Sequence, residues 1–281
     1  MKNWYFVIDV AKCENCNNCF LACKDEHCGN DWNGYAASQP LHGQRWMNIQ
    51  RKERGEFPVI DVAYLPKPCM HCDHAPCIKA AKNGAVFKRD DGLVIIDPEK
   101  AVGQKGLVAA CPYGAIWWNE DKNLAQKCTG CAHLLDDGWK APRCVQACPT
   151  GALSIHHAEA DRLNQIRRDP EFSTLGKADN PTLPRVFYKN LYRYTRCFIA
   201  GSAATRKQDI EECIFGLTVQ LRKDGKRVQK TVTDAFGDFK FDGLAPHSGI
   251  YRIDIGDKES VTKTIEVDLG KKSVSVGTIW I

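Results

Sequence analysis

The chain of 281 residues has no apolar run approaching the roughly eighteen residues that a membrane-crossing helix needs. That excludes a helical span and leaves a protein that is soluble or held by a partner. Nothing like a secretory leader precedes Trp4, neither a twin-arginine motif nor an apolar signal, so a cytoplasmic location is expected. Its fifteen cysteines are then poor candidates for disulfides. The Cys-x-x-x-Cys-x-x-Cys triplet that announces radical cluster chemistry is also missing. So are blocks of like charge: Lys and Arg are scattered among acids, and the formal charge of +5 gives no nucleic-acid footprint.

What the sequence has is cysteine in ordered runs. Twelve of the fifteen fall into four clusters within the first 150 residues. The first, Cys13-x-x-Cys16-x-x-Cys19-x-x-x-Cys23, has the spacing of a bacterial ferredoxin run, in which three thiolates hold one 4Fe–4S cluster and the fourth reaches another. The last, Cys128-x-x-Cys131 followed by Cys144-x-x-x-Cys148-Pro149, ends in the Cys-Pro that closes such runs. Exchange of the fourth ligand assigns Cys13, Cys16, Cys19 and Cys148 to one cluster, and Cys128, Cys131, Cys144 and Cys23 to a second.

The inner runs depart from a full set. Cys69-x-x-Cys72-x-x-x-x-Cys77 lacks its fourth cysteine, which is Ala81, and its partner run keeps only Cys111-Pro112. Counting back from Cys111 by the ferredoxin spacing lands on Leu107, Gln104 and Ala101. The four positions of one cluster are therefore all non-cysteine, while Cys69, Cys72, Cys77 and Cys111 complete another. Random loss would more readily cripple two clusters than delete one cleanly, so the pattern predicts three clusters and one erased site. With roughly −2 for each oxidised cluster and its four thiolates, the basic balance falls to about −1.

Other chemistries fit less of the pattern. Cys128, Cys131, Cys144 and Cys148 alone could suit a structural zinc, but zinc explains neither the overlapping first run nor the two Cys-Pro endings. Cys28, Cys197 and Cys213 fit no cluster and read as buried small hydrophobes. His71, inside the Cys69 run, reads more commonly as a packed or solvated histidine than as one that tunes a potential by hydrogen bonding.

Around these runs the pattern predicts a strand over residues 4–10, a helix from Asn18 and a polar loop over 29–41 carrying Trp32 and Tyr35. It further predicts a strand near 45–50, a hairpin about Asp90-Asp91-Gly92, and a helix capped by Asp97 that runs toward Cys111. Residues 158–168 have helical character, and 169–184, with three prolines, read as a linker. From residue 214 the pattern is short strands and turns, which indicates a small antiparallel sandwich or barrel. Asp234, Asp238, Asp242 and Asp254 read there as solvated faces and Asx turns rather than a calcium site.

The order of the runs, Cys69-x-His71-Cys72, Ala110-Cys111-Pro112-Tyr113-Gly114 and Lys127-Cys128-x-x-Cys131 resemble the iron–sulfur electron-transfer subunits of the dimethyl sulfoxide reductase family of molybdenum enzymes. The resemblance covers residues 4–155. Within that family, small subunits of the pyrogallol–phloroglucinol transhydroxylase type share the three-cluster count and the C-terminal β domain, whereas other members typically have four clusters. The stretch from Thr233 to Phe239 with Gly243-Leu244 also resembles a Cna B-type sandwich, a common motif. Cys148-Pro149-Thr150-Gly151-Ala152 is kept as in the broader group, so a relative acting on another substrate stays open.

The expected architecture is thus α+β: a duplicated bacterial ferredoxin-like domain over 1–156, a helical and extended linker over 157–212, and an antiparallel β-sandwich over 213–281. The resemblance implies a non-catalytic subunit whose partner is a large catalytic chain carrying molybdopterin as bis-molybdopterin guanine dinucleotide (bis-MGD). It implies hydroxyl transfer among polyhydroxylated aromatics, pyrogallol to phloroglucinol, a redox-neutral reaction in which the clusters store, prime or exchange electrons. A conventional reductase subunit would relay them, and a free-standing multi-cluster ferredoxin is the further alternative. A subunit of this group can also be exported bound to a partner that carries the signal.

Overall fold

The computed structural model describes residues 2–176, 181–208, 210–257 and 260–281, and the chain divides into two compact units. The first comprises Met1–Gln50 and Tyr64–Leu191, the second Arg51–Ala63 and Tyr192–Ile281.

The first unit begins with β1 (Asn3–Asp9) and α1 (Asn18–His27), then β2 (Asn48–Glu56) and β3 (Val59–Lys67), a hairpin whose outer part is counted with the second unit. Next come α2 (Pro76–Ala80), the hairpin of β4 (Val86–Lys88) and β5 (Val94–Ile96), α3 (Gly106–Ala109), and the hairpin of β6 (Trp117–Asn119) and β7 (Leu124–Gln126). The unit closes with α4 (Ala132–Asp136), α5 (Arg143–Gln146), β8 (Leu153–Ala158), α6 (Ala160–Arg168) and β9 (Val186–Lys189). Strand β1 is central in a three-stranded sheet, antiparallel to β8 and parallel to β9. Leu163 and Ile166, one turn apart on α6, pack with Tyr5 and Phe187 of that sheet.

Two expectations for this unit are corrected. The helix from Asp97 toward Cys111 is broken. Asp97 does cap one turn, accepting the Glu99 and Lys100 N–H groups at 2.9 and 3.1 Å, but the left-handed φ of 76° at Gly103 ends it and α3 keeps only four residues. The stretch 157–212 is not a linker either. It supplies α6, the sheet strand β9 and a strand of the second unit, while residues 177–180 of the 169–184 segment lie outside the described ones.

The second unit contains α7 (Tyr192–Thr195), β10 (Cys197–Lys207), β11 (Ile210–Cys213), β12 (Thr218–Lys223), β13 (Lys226–Val232), β14 (Asp238–Leu244), β15 (Gly249–Gly256), β16 (Val261–Leu269) and β17 (Val274–Trp280). Sheet β13-β12-β15-β16 is one layer, and β11, β10, β14 and β17 form a second four-stranded sheet. Alternation decides the faces: β14 exposes Asp238 and Lys240 and buries Phe239 and Phe241. The buried side chains join Val219, Leu221, Ile253, Ile255 and Leu269 in one core.

Cys197 belongs to that core as expected, but Cys213 is exposed at the end of β11. Asp234 makes the expected Asx turn, accepting from the Phe236 and Asp238 N–H groups at 2.9 Å each. Asp254 does not lie on a solvated face: it is buried between Arg222 and Arg252.

Asp61 is the hub of the unit's ion pairs, bonded to Arg54, Arg193 and Lys240. Desolvation alone would raise its carboxyl, but hydrogen bonds and charge from Lys240 and Arg54 outweigh that and hold it at about 2. A carboxylate depressed in the folded state contributes stability above its unfolded value of roughly 4 and loses it as pH falls toward the folded one. Asp61→Asn should therefore destabilise the protein at pH 7 by about 1–3 kcal/mol. Denaturant unfolding should show the gap to the unsubstituted protein closing between about pH 4 and pH 2.

Candidate metal centres

Each cysteine run is a loop that feeds a short helix, and left-handed residues make the loops wind. In the first run Asn15 and Asn17 have φ of 58° and 62°, and the Asn17 side chain donates to the Asn15 carbonyl at 2.8 Å. Cys19 and Cys23 follow on α1 four residues apart and therefore one above the other on a single face. Packed against α1 is α5, which carries Cys144, with Cys148 just beyond its end.

None of the fifteen cysteines is in a disulfide. Electrostatic repulsion shows which of them lie together. Burial pushes Cys19 up to about 12, and Cys13, Cys148 and Cys16 add to it. Cys23 is driven well above its ordinary value by burial, then by Cys128 and Cys131. Cys144 is raised by burial, then by Cys131, Cys128, Cys23 and Cys19. In the inner runs burial pushes Cys72 to about 12, with Cys69, Cys111 and Cys77 as its charged neighbours. These neighbours run along the three expected sets, and they also link Cys19 to Cys144 and Cys69 to Cys128.

Such sets suit one kind of guest. Buried sulfurs that repel one another, as all four of the Cys23 set do, keep their protons unless a cationic core compensates them. Among the described residues no three His, Cys, Asp or Glu side chains converge as the ligands of one metal ion would.

Polar hydrogens already point at the sulfurs. The N–H groups of His71, Ala115 and Gly130 donate to Cys69, Cys111 and Cys128 Sγ at 3.5, 3.4 and 3.3 Å. At Cys148, desolvation is outweighed by hydrogen bonds from Leu153, Thr150 and Ala152, and the thiol falls below its ordinary value. The two Cys-Pro endings are copies: Gly114 and Gly151 take φ of 60° and 63° before segments that run into β6 and β8.

Sequence reasoning missed three side chains that meet these sulfurs, because no spacing rule names them. Gln39 Nε2 donates to Cys23 Sγ at 3.7 Å, so the loop over residues 29–41 folds back on its own thiols. Its Trp32 stacks on His133, with centroids 4.0 Å apart. His27 Nε2 lies 4.0 Å from Cys131 Sγ. Thr182, inside the segment read as linker, is buried, hydrogen-bonds Cys72 and lies 2.7 Å from the Tyr113 hydroxyl. Cys28 is only half-buried, its thiol donating to the Pro40 carbonyl at 3.4 Å.

At the erased site protein fills the ligand positions. Ala101 and Leu107 are buried. The Gln104 side chain accepts the Lys82 N–H at 2.9 Å and donates to the Lys82 and Lys100 carbonyls at 3.2 and 2.8 Å. It thereby ties the end of α2, beside Ala81, to the segment that leads to Cys111.

Comparison with known proteins agrees with this geometry. Residues 60–158 match the family model of the 4Fe–4S dicluster domain. The sequence is 46% identical to the pyrogallol hydroxytransferase small subunit of Pelobacter acidigallici, over 99% of each protein. It is 32% identical to a subunit of the sulfite dehydrogenase of Allochromatium vinosum, over 71% of this protein and 88% of that one. Against a component of the anaerobic dimethyl sulfoxide reductase of Escherichia coli the identity is 35%, over 53% and 71%. Among solved structures, the major pilin subunit of Bacillus cereus aligns with 34% of this protein and 31% of its own length at a TM-score of 0.24 and 17% identity, too slight to assign a fold.

The Gln104 side chain hydrogen-bonds Lys82 and Lys100 rather than a cysteine, so Gln104→Ala should cost about 1–3 kcal/mol through its lost hydrogen bonds and leave iron per chain unchanged. Hydrogen exchange at the Lys82 amide should accelerate, and an unaltered rate there would refute the latch.

Proposed function

Because this protein belongs to the iron–sulfur electron-transfer subunits of the dimethyl sulfoxide reductase family of molybdenum enzymes, we propose that it carries three 4Fe–4S clusters and exchanges electrons with a molybdopterin site on a larger partner. The observation that carries the count is the erased site. One complete ligand set is replaced by Ala81, Ala101, Gln104 and Leu107, and the last three are packed or hydrogen-bonded within the protein. The other twelve cysteines supply three sets of four.

On this reading the first cluster is held by Cys13, Cys16, Cys19 and Cys148, the second by Cys23, Cys128, Cys131 and Cys144, and the third by Cys69, Cys72, Cys77 and Cys111. A cluster supplies one-electron redox chemistry when bound. The protein's own residues set burial and aim hydrogen bonds at sulfur, which are the means by which a protein tunes a potential. The bis-MGD cofactor and the catalytic residues belong to the partner, in a heterodimer or a higher assembly.

The substrate reading comes from the relative matched over its whole length, named as a pyrogallol hydroxytransferase small subunit. We assign the complex hydroxyl transfer between polyhydroxylated aromatics, with the clusters storing or exchanging electrons around a redox-neutral reaction. The sandwich unit serves as a docking or shielding module of Cna B-like type. Among the described residues no helix is long and apolar enough to cross a membrane, and the complex is assigned to the cytoplasm.

Metal analysis of the complex captured through this protein without oxygen tests the reading. Three clusters give about twelve irons per chain, with about one molybdenum or tungsten. Sixteen irons would instead reveal a partner with its own cluster, as in a reductase, and would refute the hydroxytransferase assignment. Iron with neither heavy metal would mark a free-standing ferredoxin. Cys69→Ser should remove about four irons and one electron paramagnetic resonance signal; intact iron and an unchanged spectrum would sink the assignment of the third set.

A further inference from the structure

Among the buried polar atoms beside the sulfur sets that are left without a partner, alongside His27 Nδ1, Gln39 Oε1 and Thr129 Oγ1, is His71 Nε2. His71 is 1% exposed and sits at a left-handed φ of 42° between Cys69 and Cys72. Its backbone serves one set, since its N–H donates to Cys69 Sγ at 3.5 Å. Its ring goes the other way. Nδ1 accepts the Val94 N–H at 3.0 Å, and the ring lies parallel to Phe6 with centroids 6.3 Å apart. Nε2 comes up against the Cys128–Cys131 loop, 3.7 Å from where a Cβ on Gly130 would stand. Gly130 in turn donates its N–H to Cys128 Sγ at 3.3 Å.

The tautomer follows from these contacts. An imidazole that accepts at Nδ1 carries its proton on Nε2. Among the described residues that Nε2–H has no acceptor, and a buried donor without one is costly to keep. The acceptors that the proposed function places at the Cys128–Cys131 loop are sulfurs. The two sets meet here, because Cys69 is the cysteine whose charge bears most on Cys128.

The geometry points to His71 as a potential-setting donor that gives its Nε2–H to sulfur of the cluster held by Cys23, Cys128, Cys131 and Cys144, while its backbone serves the neighbouring set. This rests on the three-cluster reading. A hydrogen bond to sulfur withdraws electron density from a cluster and favours its reduced form. One imidazole thus sets the step in potential between adjacent clusters.

Potentiometric electron paramagnetic resonance on the complex, with iron counted per chain, tests this in the unsubstituted protein, H71N and H71Q. H71N keeps an acceptor for the Val94 N–H but lacks a donor at the Nε2 position, whereas H71Q places an amide N–H there. H71N should retain its iron and make one cluster about tenfold harder to reduce, ~59 mV for a one-electron couple, while H71Q keeps the unsubstituted potential. Unchanged potentials in H71N overturn the assignment, and so do equal shifts in both variants, which would mark packing rather than donation.

If H71N loses iron, nitrogen-15 labelling of histidine and pulsed resonance decide. A histidine nitrogen coupled to a reduced cluster should be present in the unsubstituted protein and vanish in H71Q. No coupling at all overturns the assignment; a coupling that persists in H71Q belongs to His27 and does the same, as does loss of iron from both variants. An unsubstituted protein with about eight irons or fewer fails the three-cluster reading itself, before any variant is compared.

Discussion

Burying four sulfur donors together is the constraint on which the ferredoxin-like unit depends. As thiolates they would place four negative charges in a medium that solvates them poorly, and as thiols they hydrogen-bond weakly. The raised thiols of Cys19, Cys72 and Cys131, each pushed to about 12, measure that conflict. A cationic iron–sulfur core resolves it by supplying charge and four directed bonds at once. The surrounding elements are built to that measure. Helices α2 to α5 have four or five residues each, far short of what holds a helix alone. Metal binding and folding of this unit are then one free energy rather than two.

The sets follow one another in a definite order. Cys19 bears on Cys144, and Cys69 on Cys128, so the Cys23 set stands between the other two. Exposure is least in the middle set, whose four cysteines are all buried, whereas Cys16 is exposed and Cys13, Cys148 and Cys111 are half-buried in the sets on either side. On the proposed reading two clusters of net negative charge adjoin at the Cys69–Cys128 junction, where reducing one raises the cost of reducing the next. A buried cation stands there. Lys127 donates to the Val94 and Cys128 carbonyls, and its charge acts on Cys77, Cys111 and Cys128. With the neutral ring of His71 beside it, the junction holds both a fixed charge and a fixed dipole, two independent means of setting a potential.

Much of this was legible in the sequence because chelation imposes distances that spacing records. The cysteine runs, α1 from Asn18, the hairpin at Gly92 and six strands of the second unit could be read in order. What was not legible depends on contacts remote in sequence. Gln39 and Thr182 reach sulfurs sixteen and more than a hundred residues away, and no local pattern marks them. Strand β10, with its run of Gly, Ser and Ala, lacks alternation, and becomes a strand because β11, β14 and β17 pair with it. Cys213 was read as buried on residue type alone, yet it ends a short edge strand whose side chains are exposed. The helix from Asp97 failed for a local reason, Gly103, whose left-handed backbone outweighed the cap.

Why the erased site still has a scaffold follows from Cys111. That residue lies four positions beyond Leu107 and belongs to a set that remains complete, so the segment through Gln104 could not be discarded when its own ligands were. A cluster would have cross-linked that segment to the end of α2. In its place Leu107 and Ala101 contribute burial, and the Gln104 amide contributes two hydrogen bonds across the same gap, to Lys82, and one within its own segment, to Lys100. Each of these is worth about 0.5–1.5 kcal/mol net, less than a metal bond gives. Together they suffice because the task has changed: the amide need not carry an electron, only hold Cys111 where the neighbouring set requires it.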